Sequence, residues 1–185
     1  MLEPRIQQQF FDSADLKYQT AEALSRPIAE ACGALIGAIT SGGKLMIGGG
    51  GTASALALHF AQRLVGGYER ERPPLPAMVL GADAEQLILA LGHPGDVLFW
   101  IEPADGDGRL ARAAIAAAHD KDMTVAGMSA GTGAAAAAVA AQLAETDVKV
   151  AIPHARGGRA LELQLLVLHC LCDAIDLQLM GEQEP

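Results

Sequence analysis

Five short, predominantly apolar runs cross this chain, at 44–48, 76–81, 96–102, 123–129 and 147–153, and segments of helical periodicity separate most of them. A strand apolar at every position has both faces buried, whereas a strand facing water on one side alternates. Buried strands that alternate with helices are joined by crossovers and pair in parallel. The expected fold is therefore α/β: a three-layer sandwich around a five-stranded parallel sheet of flavodoxin-like order. Its ligand crevice belongs at the carboxyl ends of the strands.

The helical segments fit that plan. Residues 5–41 form an N-terminal arm, amphipathic to about Gln19 and then apolar at Leu24, Ile28, Cys32, Leu35 and Ile39. Ser41-Gly42-Gly43 ends it. Helices follow over 54–65, with Thr52 or Ser54 as cap, and over 109–119, 134–144 and 158–179, and a short segment covers 84–91. The last carries two apolar stripes, one through Leu161, Leu165, Leu168, Cys172, Ile175 and Leu179, the other through Leu163, Val167, Cys170 and Ala174. Two stripes on one helix require burial on two sides, against the sheet and against another subunit. Glu162, His169, Asp173 and Asp176 share the remaining face, beside a cleft or solvent. One domain spans 1–185, with helices in 1–41 used in oligomerisation and an α/β core over 44–185.

Composition narrows the function. Apolar residues make up 51% of the chain and aromatics only 4%, so the core is built from Ala, Leu, Val and Ile. The net charge of −9 argues against direct nucleic-acid binding, which needs a basic surface. The start Met1-Leu2-Glu3-Pro4-Arg5 is not that of a secretory signal, and the most apolar stretch, 161–180, carries Glu162, Asp173 and Asp176. The expectation is a soluble, cytoplasmic protein that does not enter membranes. The cysteines Cys32, Cys170 and Cys172 read as reduced core thiols.

Several segments carry a family resemblance. They are the glycine turn after the first strand, the helix bearing His59-Phe60-Ala61, Glu71-Arg72-Pro73-Pro74-Leu75-Pro76-Ala77, the run 90–98, Asp122-Met123-Thr124-Val125 and Leu171-Cys172-Asp173-Ala174-Ile175-Asp176. Together they resemble the SIS-domain proteins of the phosphoheptose isomerase (GmhA) and DiaA branch, and 69–77, 90–98 and 170–176 lean toward DiaA, the DnaA initiator-associating protein. The resemblance implies a homotetramer with sites between subunits. It also implies, for the isomerases, conversion of sedoheptulose 7-phosphate through an enediol.

The family's site residues carry over only in part. Its first phosphate turn matches Gly49, Gly50, Gly51, Thr52 and Ala53, where glycine and alanine replace an Asn and a Ser. Backbone N–H groups there still suit an anion. The second, hydroxyl-rich phosphate loop matches 102–107, which offers Glu102, Asp105 and Asp107 instead. A like charge at about 4 Å costs ~1 kcal/mol in water and ~4 kcal/mol at intermediate dielectric, so a sugar phosphate is not expected to bind. The His, Glu, Gln and His that form the isomerases' reactive centre, and can hold a metal, match His59, Arg63, Leu161 and His169. Arg63 is neither base nor ligand, and it either binds an anion or pairs with a carboxylate such as Glu162. Leu161 donates and accepts nothing. The lid segment is short, with Asp83 where the family often has an acid.

This set implies no cofactor and no metal, and a vestigial centre. The leading expectation is a non-catalytic, DiaA-like protein that binds DnaA and acts in replication initiation, with Leu179 and Met180 as the partner surface. The alternatives are a phosphoheptose isomerase, with His59 or His169 replacing a carboxylate base, and a sensor for a neutral, zwitterionic or cationic molecule.

Overall fold

The computed structural model describes residues 1–181. Helix α1 (Leu2–Thr40) leads into β1 (Leu45–Gly49), a single 3₁₀ turn (Gly51–Ala53) and α2 (Ser54–Gly66). There follow β2 (Ala77–Val79), α3 (Ala84–Leu91), β3 (Val97–Glu102), α4 (Arg109–Asp120), β4 (Thr124–Ala130), α5 (Ala134–Ala140), β5 (Val148–Ile152) and α6 (Gly157–Met180). The strands form one parallel sheet in the order β2-β1-β3-β4-β5. Each expected strand is present, within a few residues of its expected ends.

Alternation along the strands sorts the side chains into two cores. Leu45, Ile47, Val97, Phe99, Ile101, Ala126, Met128 and Val150 face a layer made by α1, α2 and α6. Met46, Leu98, Trp100 and Val125 face α3, α4 and Val139 of α5. The sandwich thus has its helices on both faces, and β1 and β3 at its centre end together at the carboxyl edge.

The N-terminal arm is one helix of 39 residues rather than a series of helices. Nothing near Gln19 terminates it, and the buried Thr20 returns its hydroxyl to the Leu16 carbonyl of the same helix at 2.8 Å. Helix α6 is long and apolar enough to cross a membrane by length and composition. Here, however, Leu163, Val167, Leu168, Leu171, Cys172 and Ile175 are buried in the first core.

Three expectations about α6 need correction. Asp176 does not border a cleft: it is buried, and Arg72 donates to it at 2.5 Å. Leu179 packs against the core, so of the two suggested partner residues only Met180 is exposed. Cys170 is exposed, whereas Cys32 and Cys172 are buried. Burial above all pushes the Cys172 thiol up to about 12, with the Asp176 charge adding to it.

Arg72 fixes where α2 meets α6. Its buried guanidinium donates to the Leu64 carbonyl at 2.7 Å and the Arg63 carbonyl at 3.0 Å, at the end of α2. The same group holds Asp176 on α6. Removing one member of a buried pair strands the other charge, at a cost of about 3–5 kcal/mol. Asp176→Ala is therefore expected to lose stability on that scale in urea denaturation. Arg26→Ala, on an exposed pair with Glu30, should leave the midpoint in place.

Candidate functional site

The carboxyl ends of β1 and β3 open onto a cavity of about 620 Å³ lined by Gly50, Gly51, Glu102, Asp105, Gly106, Asp107, Arg109 and Leu110. This is the crevice that the strand order calls for. The glycine turn enters it without side-chain caps. Ala53 precedes α2, Thr52 is exposed, and the Ser54 hydroxyl donates to the Gly51 carbonyl at 2.9 Å. The Gly50 N–H, one of the groups expected to receive an anion, donates to the Ile101 carbonyl at 2.9 Å. Gly49 ends β1 and Ala53 is buried, so neither presents a side chain to a ligand.

Glu102 organises the floor. It is 2% exposed, and its carboxylate accepts from Trp100 Nε1 at 2.9 Å and from the Gly108 N–H at 3.1 Å. The buried Gln164 amide on α6 donates to the Glu102 carbonyl at 2.9 Å. A Cβ at Gly50 would stand 2.7 Å from one Glu102 oxygen, and a Cβ at Gly106 would stand 2.2 Å from the other. The bare Gly50 and the acid at 102 are thus a single change: the carboxylate occupies the space a side chain at 50 would need.

Read from the sequence, the acids at 102–107 form one rim; the structure separates them. Asp105 is exposed, and Asp107 accepts from the Arg109 backbone N–H at 2.9 Å and from its Nε at 2.7 Å. Glu102 alone is internal. Burial, reinforced by the Asp107 charge, raises its carboxyl above the usual value against the opposing pull of Trp100, Gly108 and Arg112. Asp83 stands exposed at the start of α3, and it is not among the residues lining the cavity. Only residues 80–83 join β2 to α3, so little of a lid remains.

A second cluster lies where α2 meets α6. His59 Nε2 and His169 Nε2 are 3.0 Å apart, and the Tyr68 ring centroid is 5.3 Å from that of His169. One imidazole donates Nε2–H and the other accepts, so the accepting ring carries its proton on Nδ1. Burial first, then the proximity of His169 and Arg63, lowers the pKa of His59, which favours its neutral form. Arg63 stands one turn beyond His59, and its Nε is buried with no hydrogen-bond partner among the described residues. The expected pairing with Glu162 does not form. Arg159 and the Ser13 hydroxyl hold Glu162 instead, the latter at 2.5 Å.

The metal that the family resemblance implies does not fit this cluster. Leu161, half-buried two turns before His169, offers no ligand, and Arg63 brings a fixed charge. Among the described residues no group of three or more His, Cys, Asp or Glu side chains is placed to hold a metal ion. Arg72, Tyr68, Trp100 and Gln164 were not singled out from the sequence. Trp100 and Glu102 had a visible signal, because positions two apart on a strand share a face and a buried indole N–H needs an acceptor.

The raised carboxyl of Glu102 makes stability depend on pH with a definite sign. Between the ordinary value of 4.5 and the higher value in the folded protein, the native state holds more protons than the unfolded one. Stability is therefore expected to fall as pH rises through that interval. Denaturation followed across pH 4–8 should show that slope in the wild type and a flatter one in Glu102→Gln.

With this geometry in hand, comparison with known proteins places the chain. Residues 9–130 match the SIS domain family model. A phosphoheptose isomerase of Methylibium petroleiphilum is 46% identical over 200 aligned residues, covering all of this chain and 98% of that protein. One from Aromatoleum aromaticum is 40% identical, covering 97% of each. The structure of a phosphoheptose isomerase from Francisella tularensis superposes with a TM-score of 0.84 at 31% identity, over 95% of this chain and 98% of that one. These full-length likenesses overturn the expectation of a DiaA-like, DnaA-binding protein without catalysis, since the relatives at 40–46% identity are phosphoheptose isomerases. The departures at Arg63, Leu161 and Glu102 thus lie within an isomerase lineage, and the chain belongs to the phosphoheptose isomerase family of SIS-domain proteins.

Proposed function

We propose that this protein is a cytoplasmic sugar-phosphate isomerase that acts on sedoheptulose 7-phosphate, with the His59–His169 pair as its proton-transfer centre. The observation that carries this reading is the 3.0 Å contact between the two Nε2 atoms, with His59 shifted toward its neutral form. Ketose–aldose isomerisation needs a base that takes a proton from the carbon next to the carbonyl and an acid that serves the oxygens. The C–H electron pair becomes the double bond of an enediol, and the proton returns at the neighbouring carbon. Two imidazoles in contact, one donating and one accepting at Nε2, hold both functions near neutral pH. The carboxylate base missing at position 63 is then not required.

The cavity at the glycine turn is taken as the phosphate end, with Arg109 in its lining and the Glu102 carboxyl shifted toward its neutral form beside the exposed Asp105 and Asp107. Assembly as a homotetramer accounts for the apolar side chains that one chain leaves bare, among them Leu2, Ile6, Phe10 and Phe11 on α1 and Leu166 and Met180 on α6. Light scattering is expected to give four times the mass of one chain; a monomer would contradict the assembly.

Purified protein is expected to turn over sedoheptulose 7-phosphate, and His59→Ala to lower kcat by about 10²-fold or more, the usual contribution of a general base. Because the pKa of His59 lies below its ordinary 6.5, the base stays active into mild acid, and kcat/KM should fall only below that pH. Absence of turnover in the wild type, or full activity in His59→Ala, would refute the proposal.

A further inference from the structure

Arg63 is the cation that the described contacts leave without a counter-charge at the histidine cluster. No acid of α6 forms an ion pair with it among the described residues. Glu162 is held by Arg159 and Ser13, and Asp176 gives Oδ1 to Arg72 while its Oδ2 is buried without a partner. Asp173 is exposed. The Arg63 carbonyl is tied down by Arg72 at 3.0 Å, which fixes the stem of the side chain. Its Nε is buried without a partner, and it stands one turn from His59 on the same face of α2. The groups facing it and His59 are His169 and Cys172 from α6 and Tyr68 from the loop after α2. Around this point the imidazole, guanidinium and phenol donors outnumber the carboxylates. Of these, Asp176 acts on Cys172, and Asp173 and Glu69 act on Tyr68. The set is richer in donors for an anion than in ligands for a metal ion.

We propose that Arg63 is a built-in electrophile, whose guanidinium binds an oxyanion of the ligand beside the His59–His169 pair and serves in place of a metal ion. In the isomerase reading, on which the identity of the anion rests, that oxyanion is the enediolate oxygen formed when His59 takes the carbon-bound proton. The guanidinium stabilises the negative charge, the proton passes between the imidazoles and the substrate carbons, and no metal is needed for the charge to balance. A permanently charged, planar donor suits this position because it adds no competing base and favours the neutral form of His59. The same oxyanion chemistry has a second source, the phosphate group itself.

The test uses the full-length protein, treated with chelator, with two probes: glycolohydroxamate as a planar mimic of the enediolate, and inorganic phosphate. Binding is measured by calorimetry, and the imidazole resonances of His59 and His169 are followed by NMR against pH. The wild type is expected to bind glycolohydroxamate without added metal. Arg63→Gln should weaken that binding tenfold or more and raise the titration midpoint of His59, and Arg63→Lys should restore part of both. Binding of phosphate rather than the hydroxamate, lost in Arg63→Gln, would assign the site to the phosphate end and overturn the electrophile role. Unchanged affinity for both probes in Arg63→Gln, or binding only with added Zn²⁺, would overturn the proposal entirely. Thermal unfolding of each variant excludes a folding defect. The two readings separate cleanly. If the wild type turns nothing over yet loses hydroxamate binding in Arg63→Gln, the electrophile stands and the isomerase falls. If Arg63→Gln keeps full kcat, the reverse holds.

Discussion

The buried guanidinium of Arg72 is the contact on which the geometry of this protein depends. It accepts the task of capping α2, taking the Leu64 and Arg63 carbonyls that the helix end leaves open, and it reaches Asp176 on α6 with the same planar group. A helix end and a neighbouring helix are thereby fixed by one residue, with only 1% of its side chain exposed. The separation of α2 and α6 decides whether His59 and His169 meet at hydrogen-bond distance. An ammonium group would not serve, because it lacks the fork that spans two carbonyls and a carboxylate together.

The second constraint lies at the other end of α2, where the carboxylate of Glu102 fills the space between two backbone turns. Trp100 and Gly108 hold it from below, and Gly50 and Gly106 stay bare because any Cβ would strike it. Burial shifts that acid toward the neutral form. The two ends of α2 thus carry opposite electrostatics: a carboxyl at the glycine-turn end and, at the imidazole end, the Arg63 guanidinium with no ion pair among the described residues.

The sheet was legible from the sequence because β1, β3 and β4 are apolar at nearly every position, as burial on both faces requires, whereas the edge strand β5 carries Lys149 and alternates in burial. The order β2-β1-β3-β4-β5 followed from the alternation of strands and helices. At the site, His59, Arg63 and His169 were identified by position, but their relation was not, since the 3.0 Å contact joins residues far apart in the chain. The pairing of Arg72 with Asp176 was hidden for the same reason, and Asp176 was placed on the wrong side of α6. Glu102 was read as part of an exposed acidic rim because a loop acid is usually solvated, although Trp100 two positions earlier marked it as internal. The functional reading went astray at one step. Loss of the Glu and Gln side chains weighed more than the alternative in which His59 or His169 replaces the carboxylate base, because their contact joins residues 110 positions apart.

The central claim is that the His59–His169 pair moves a proton between substrate carbons, and isotope exchange tests it most directly. Sedoheptulose 7-phosphate incubated with the protein in D₂O is expected to gain deuterium at the carbon next to the carbonyl, as an enediol intermediate exchanges its proton with solvent. The exchange should vanish in His169→Ala and persist in the presence of chelator. A substrate that stays free of deuterium with the wild-type protein, under conditions where the Francisella tularensis isomerase labels it, would contradict the account.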